Sequence, residues 1–214
     1  MHNVVTKLIS IQKEIQEKNN KTKVIAVSKT FKIEDIIPLI NHGHRDFGEN
    51  KIQEAVQKWT SVKENYSDIN LHMIGKIQSN KVKLILPLFE YVHSLDSAKL
   101  AEKISEEQKK YKKNIKIFIQ VNIGNEEQKS GIPFAEVDGF FNYCTREKKM
   151  QILGLMAIPP NNENVEKYFK NLSELNSSLG LTELSLGMSS DYITAIKYKS
   201  TYLRLGSSIF GERT

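Results

Sequence analysis

A lysine, an arginine and two serine-rich turns are the residues of this chain best suited to chemistry. Lys29 closes the apolar run Ala26-Val27-Ser28-Lys29-Thr30. An amine at the end of an apolar strand is partly desolvated, which lowers its pKa and makes it a better nucleophile. The same position also suits a lysine that snorkels at a rim. Two small, hydroxyl-rich turns follow much later, Gly187-Met188-Ser189-Ser190-Asp191 and Gly206-Ser207-Ser208. Backbone N–H groups at a helix start, with serine hydroxyls beside them, cradle an anion. They also cap helices in the ordinary way, and the two roles are compatible. Arg204 interrupts the apolar run Tyr202-Leu203-Arg204-Leu205. A buried guanidinium needs a partner, either a ligand or a structural ion pair.

The elements that must position these residues alternate in type. Apolar, β-prone runs lie at Lys23–Ser28, Asp46–Gly48, Leu71–Ile74, Tyr91–Ser94, Ile115–Val121, Ile152–Ala157, Leu184–Met188 and Thr201–Leu205. Amphipathic helical patterns separate them: Ile33–Asn41, Lys51–Lys63, Ser79–Leu86, Ser97–Lys112, Pro133–Thr145, Val165–Leu179 and Tyr192–Lys199. A further helix, Val4–Lys18, precedes the first strand. The strands are nearly continuous in apolar character, as parallel strands covered on both faces must be. Eight such units predict a (β/α)8 TIM barrel, with a doubly wound open sheet as the alternative.

A barrel gathers its functional residues at the C-terminal ends of its strands. Lys29 ends the first strand, and the serine turns follow the seventh and eighth, where barrels often bind phosphate. A nucleophilic amine, an anion cradle and a permanent cation in one mouth suit a phosphorylated aldehyde. Pyridoxal 5′-phosphate (PLP) fits, because its aldehyde forms a Schiff base with lysine and its ring nitrogen needs a partner.

Composition narrows the classes. The chain has 214 residues, 39% hydrophobic and 26% charged, which is globular and enough for a buried core. The net charge of +6 rests almost wholly on scattered lysines; arginine occurs only at positions 45, 146, 204 and 213. Clustered cations with stacking aromatics, the mark of a nucleic-acid surface, are missing from this pattern. The one cysteine, Cys144, excludes an internal disulfide and reads as a core thiol. His42, His44, His72 and His93 are dispersed without metal-ligand spacing and read as structural. No leader or membrane span is visible, so a cytoplasmic location is expected.

Seven motifs in order resemble a known family: AVSKTF (26–31), FGENKIQE (47–54), HMIGKIQSNK (72–81), VNIGNEEQKSGI (121–132), GLMAI (154–158), LSLGMSSD (184–191) and YLRLGSSIFGER (202–213). The chain is similar to the pyridoxal phosphate homeostasis proteins, the YggS/PROSC family, relatives of the barrel domain of alanine racemase. The resemblance covers nearly the whole chain. It implies one PLP-binding barrel of fold-type III over residues 1–214, with Lys29 carrying the cofactor as an internal aldimine. It also implies Ser189, Gly206 and Ser207 around the phosphate, Arg204 against the pyridine nitrogen, and Asn50 and Met156 lining the pocket. Lys129 matches a lysine near the cofactor entrance, or belongs to a charged surface loop. Two positions depart from the family pattern. Lys199 stands where a small residue is usual, and Ser207 where Thr or a small residue is usual; the hydroxyl that binds phosphate is kept.

The resemblance implies a carrier of the cofactor without established catalysis. A permanently charged arginine facing a pyridine nitrogen leaves it unprotonated, so the ring is a poorer electron sink. Racemases with this arrangement add a tyrosine base from a second domain across a dimer interface, whereas the barrel here uses the whole chain. The expected partners are PLP and apo PLP-enzymes as recipients, with a monomer and no nucleic acid or membrane. A PLP-dependent racemase or decarboxylase, and a Schiff-base barrel without PLP, are the alternatives.

Overall fold

The computed structural model describes residues 2–18, 22–126, 128–160 and 164–212. Two residues of the quoted motifs, Glu127 and Arg213, lie outside them. Nine strands are found among the described residues: β1 Lys23–Val27, β2 Asp46–Glu49, β3 Asn70–Met73, β4 Tyr91–Leu95, β5 Lys116–Asn122, β6 Ile132–Pro133, β7 Ile152–Ala157, β8 Glu183–Ser185 and β9 Tyr202–Leu205. The helices between them are α1 Asn3–Lys18, α2 Ile33–Asn41, α3 Ile52–Asn65, α4 Ala98–Tyr111, α5 Val137–Asn142, α6 Val165–Ser178, α7 Tyr192–Lys197 and α8 Ser207–Phe210.

Every pairing is parallel. The sheet runs β4-β3-β2-β1-β9-β8-β7-β5, and the β4–β5 pairing closes it into an eight-stranded barrel. The seam between first and last strands has Ile25 opposite Arg204 and Ala26 opposite Leu205. This is the expected (β/α)8 TIM barrel. The ninth strand, β6, adds only Ile132 and Pro133 beside Val121 and Asn122 of β5.

Three elements differ from the pattern read in the sequence. The helix expected at Ser79–Leu86 is a 3₁₀ turn over Ser79–Leu84, because Pro87 cannot continue a regular helix and constrains the residue before it. The helix expected over Pro133–Thr145 is divided. Pro133 ends β6, Phe134–Glu136 forms a 3₁₀ turn, and α5 runs on into a wider π turn at Tyr143–Glu147 that holds Cys144 buried. The strand expected to reach Met188 stops at Ser185, since Gly187 adopts a φ of +90° that no strand accommodates.

Apolar side chains fill two spaces. The larger core lies between strands and helices and includes Trp59, Phe47, Phe89 and Phe169. The smaller lies inside the barrel, where Ile25, Tyr91, Phe118, Met156 and Tyr202 meet. Polar residues share that interior: His72, His93 and Ser185 are fully buried and Arg204 is 5% exposed. The imidazole of His72 stacks on Tyr91 at 4.2 Å and that of His93 on Phe118 at 4.3 Å. Among the described residues no helix is long and apolar enough to cross a membrane.

Candidate functional site

Beyond the C-terminal ends of the strands the barrel opens into a cavity of about 800 Å³. Lys29, Asn50, Ser189, Arg204, Gly206 and Ser207 all line it. Six of the seven residues expected at the site therefore surround one space. The seventh, Met156, lies deeper. Strand alternation turns it into the barrel interior, fully buried against Ile25, Phe118 and Tyr202, and it does not line the mouth.

The backbone around Lys29 is held from one side. Ser28 is fully buried, and its hydroxyl donates to Oε1 of Glu49 at 2.8 Å. The same oxygen accepts from Trp59 Nε1 and from Lys58 Nζ, both at 2.9 Å. Lys58 also donates to the Ser28 carbonyl at 2.8 Å and to Glu54 at 3.1 Å. Glu54 in turn accepts the Thr30 N–H at 2.6 Å. Thr30 has a φ of +70°, unusual for a β-branched residue, and such strain costs on the order of 1–3 kcal/mol. The bonds to Glu54 and Lys58 stabilise this turn and with it the direction in which the chain leaves β1.

Asn50 follows β2 directly. A side chain at Gly75 would run into the Asn50 carbonyl, so the glycine of the HMIGKIQ motif lets the two loops meet. Asn50 Oδ1 is buried without a hydrogen-bond partner among the described residues.

Beside the end of β1, beyond β9 and β8, the two serine turns interlock. Ser189 Oγ accepts the N–H of Gly206 at 3.3 Å and of Ser208 at 3.2 Å. The Met188 N–H donates to Asp191 Oδ1 at 2.6 Å, fixing the first turn. Ser208 Oγ is a second buried polar atom without a partner.

Among the described residues Arg204 makes no ion pair. Its Nη1 donates to the Ser185 carbonyl at 2.7 Å and to Ser185 Oγ at 2.8 Å, and its Nη2 to the Ala157 carbonyl at 2.9 Å. Burial lowers the guanidinium pKa to about 10, opposed by the charge of Asp191, so the group stays cationic at neutral pH. Neutral oxygens accept these bonds, and Asp191 is the carboxylate whose charge acts on the group.

A smaller recess of about 360 Å³ adjoins the cavity and shares Lys29, Asn50, Ile74 and Ile158 with it. Lys129 lines this recess; its amine donates to the Pro159 carbonyl at 3.2 Å and pairs with Glu126. Lys199 is not a lining residue of either space.

Sequence reasoning assigned no role to Phe31, Ile74, Ile158 or Met188, which also line the wall. A signal existed for Ile74 and Ile158, because each is the first residue beyond its strand. His72, His93 and Asp46, dispersed in sequence, meet inside the barrel. His72 Nε2 lies 3.0 Å from Asp46 Oδ1, and His72 Nδ1 lies 3.0 Å from His93 Nε2. They form a line rather than a converging set, and the described residues hold no cluster of three ligating side chains suited to a metal.

Comparison with known proteins places this geometry. Residues 8–214 match the model of the alanine racemase N-terminal domain family. The pyridoxal phosphate homeostasis protein of Aquifex aeolicus (strain VF5) is 38% identical over 205 residues, covering 91% of this chain and 88% of that protein. The pyridoxal phosphate homeostasis protein of Haemophilus influenzae is 36% identical over 211 residues, covering 94% and 89%. The structure of PipY from Synechococcus elongatus PCC7942 with PLP bound superposes with a TM-score of 0.89 at 29% identity, over 97% of this chain and all of that one. A family match from residue 8 onward, relatives of this identity along most of their length, and a shared barrel lead to one conclusion: the chain belongs to the alanine racemase N-terminal domain family, among the pyridoxal phosphate homeostasis proteins.

Proposed function

We propose that this chain holds PLP in the mouth of its barrel, bound covalently through Lys29, and acts as a carrier in vitamin B6 homeostasis. The observation that carries the reading is the convergence of Lys29, Arg204 and the Ser189–Gly206–Ser207 wall on one cavity of about 800 Å³. A space of this size takes a small cofactor.

The donor set suits the group. Lys29 supplies an amine for the aldehyde. The turn at Ser189, Gly206 and Ser207 supplies N–H and hydroxyl groups for the phosphate, and the unpartnered hydroxyl of Ser208 stands behind it. Arg204 supplies a fixed cation for the ring nitrogen. Asn50, whose buried Oδ1 lacks a partner, supplies an acceptor beside Lys29. When bound, PLP contributes an aldehyde that an amine captures and a ring that delocalises charge.

The same residues favour storage over turnover. A guanidinium with a pKa of about 10 does not surrender a proton at neutral pH, so Arg204 holds the ring nitrogen unprotonated and the ring withdraws electrons weakly. The similar proteins are named for homeostasis rather than for a reaction, which supports the same reading. Apo PLP-enzymes in the cytoplasm are the recipients, and the carrier works as a monomer.

The test is reduction with borohydride after mixing the purified chain with PLP, followed by mass mapping. A visible absorption band and a label on Lys29 are expected, with both lost in Lys29→Ala while weaker, phosphate-anchored binding persists. A label found mainly on another lysine overturns the assignment.

A further inference from the structure

The barrel interior holds an unbroken line of hydrogen bonds from one face of the molecule to the other. It begins at Asp46, the first residue of β2, whose side chain is 19% exposed on the face opposite the mouth. His72 Nε2 lies 3.0 Å from Asp46 Oδ1, His72 Nδ1 lies 3.0 Å from His93 Nε2, and His93 Nδ1 lies 2.9 Å from Ser185 Oγ. Ser185 Oγ accepts from Arg204 Nη1 at 2.8 Å. Five strands contribute one residue each.

The carboxylate end fixes the sense of the bonds along the line, and the guanidinium end is compatible with it. A guanidinium can only donate, and a carboxylate can only accept. With neutral imidazoles, His72 must carry its proton on Nε2 to meet the Asp46 oxygen. Its Nδ1 is then bare and accepts from His93 Nε2–H. That leaves His93 Nδ1 bare, so it accepts the Ser185 hydroxyl proton. The reverse arrangement sets a bare His72 nitrogen against a carboxylate oxygen, which is repulsive. Burial supports the neutral state: desolvation depresses the pKa of both imidazoles, and for His93 the neighbouring His72 and Arg204 depress it further.

We propose that His72, His93 and Ser185 are positioning residues for the mouth: through them the Asp46 carboxylate orients the Arg204 guanidinium from the far side of the barrel. The chain is polarised in one direction, like the dipoles of a helix, and each bond strengthens the next. Ser185 occupies two of the bonds that Arg204 Nη1 makes, one through its carbonyl and one through its hydroxyl. While His93 takes its proton, the hydroxyl is held in one rotor and keeps both lone pairs free, one of them for Arg204. Loss of the acceptor at Asp46 frees both tautomers and, with them, the Ser185 rotor beneath Arg204.

The groups packed around the line do not replace its ends. Tyr91 and Phe118 stack on the imidazoles, Tyr202 meets His93 edge-on, and Lys23, His44, Asn70 and Glu90 surround the Asp46–His72 end. The value of the relay for a bound cofactor rests on the reading of the mouth as a PLP site; the relay itself does not.

The experiment uses the full chain without cofactor, labelled with ¹⁵N in its imidazoles, read by long-range ¹H–¹⁵N correlation. His72 and His93 are both expected as Nε2–H tautomers, with a nitrogen–nitrogen coupling across the bond between them. In Asp46→Ala, His93 is expected to populate the Nδ1–H tautomer although it does not touch residue 46. Asp46→Asn, which keeps an accepting oxygen, is expected to restore the parent pattern. Ser185→Ala cuts the line at its other end and releases His93 while His72 stays fixed. With PLP added, the same two alanine variants are expected to shift the visible band. A parent His93 protonated on Nδ1, or His93 signals unchanged in both Asp46→Ala and Ser185→Ala, overturns the relay. Failure of the parent chain to take up PLP overturns the function proposed above without moving these cofactor-free signals.

Discussion

Lys58 Nζ lies 2.8 Å from the carbonyl of Ser28, so a helix on the outside of the barrel grips the residue directly before Lys29. The same ammonium pairs with the fully buried Glu49 at 2.9 Å. Replacing it with Met strands a carboxylate in the core. Lys58→Met is expected to destabilise the fold by about 3–5 kcal/mol, the usual cost of removing one partner of a buried pair. Urea unfolding measures it; a loss below about 1 kcal/mol would show that the grip on β1 lies elsewhere.

Arg204 has only neutral acceptors around its guanidinium. Arg204→Glu would set a carboxylate against a bound ring nitrogen and favour its protonation. The visible spectrum of the PLP-loaded variant is expected to change. An unaltered spectrum at full occupancy would remove Arg204 from the role of ring partner.

Acid should weaken this fold earlier than carboxylates alone would cause. Burial lowers the pKa of His44, His72 and His93 from an ordinary value of 6.5, so in the folded state they resist protonation. The unfolded chain binds those protons first as pH falls. Stability is therefore whole above pH 6.5 and declines below it, by about 1.4 kcal/mol per pH unit for each proton that only the unfolded state binds. Asp46 adds a second phase. Burial opposes its ionisation, but the hydrogen bond from His72, with the charge of Lys23, outweighs it and lowers its pKa. Its contribution is present above the unfolded carboxyl value and is lost as pH falls through the folded one. Urea midpoints between pH 7.5 and 5 check the first phase; midpoints constant across that range would refute it.

Cys144 is fully buried in its π turn, and burial pushes the thiol up to about 12. Iodoacetamide is expected to leave it unmodified in the native protein and to label it completely in urea. Rapid native labelling would place the thiol at the surface.

Much of the barrel was legible because each buried parallel strand is a dense apolar run and each helix carries its own periodicity. Lys29 stood out because charge at the end of such a run is rare, and Arg204 because it breaks one. Legibility failed where a position depends on closure. Asp46, His72 and His93 lie on consecutive strands, tens of residues apart, and only the barrel's curvature aims them at one another. Met156 shows the same limit within one strand. Its motif marks a residue near the site, but the pleat turns it into the barrel interior, where it packs below the mouth. The backbone angle at Gly187, which ends β8 early, is likewise a property of the turn rather than of the apolar run before it.

The pairing of β1 with β9 has a bearing on biosynthesis. Lys29 emerges from the ribosome well before Arg204, and the seam that brings their strands together cannot zip until Tyr202–Leu205 is available. A polypeptide cut before that strand thus displays the Lys29 amine without the Arg204, Gly206 and Ser207 side of the cavity. If Lys29 captures an aldehyde in this mouth as proposed, it can do so only once the closing strand of the barrel has been made.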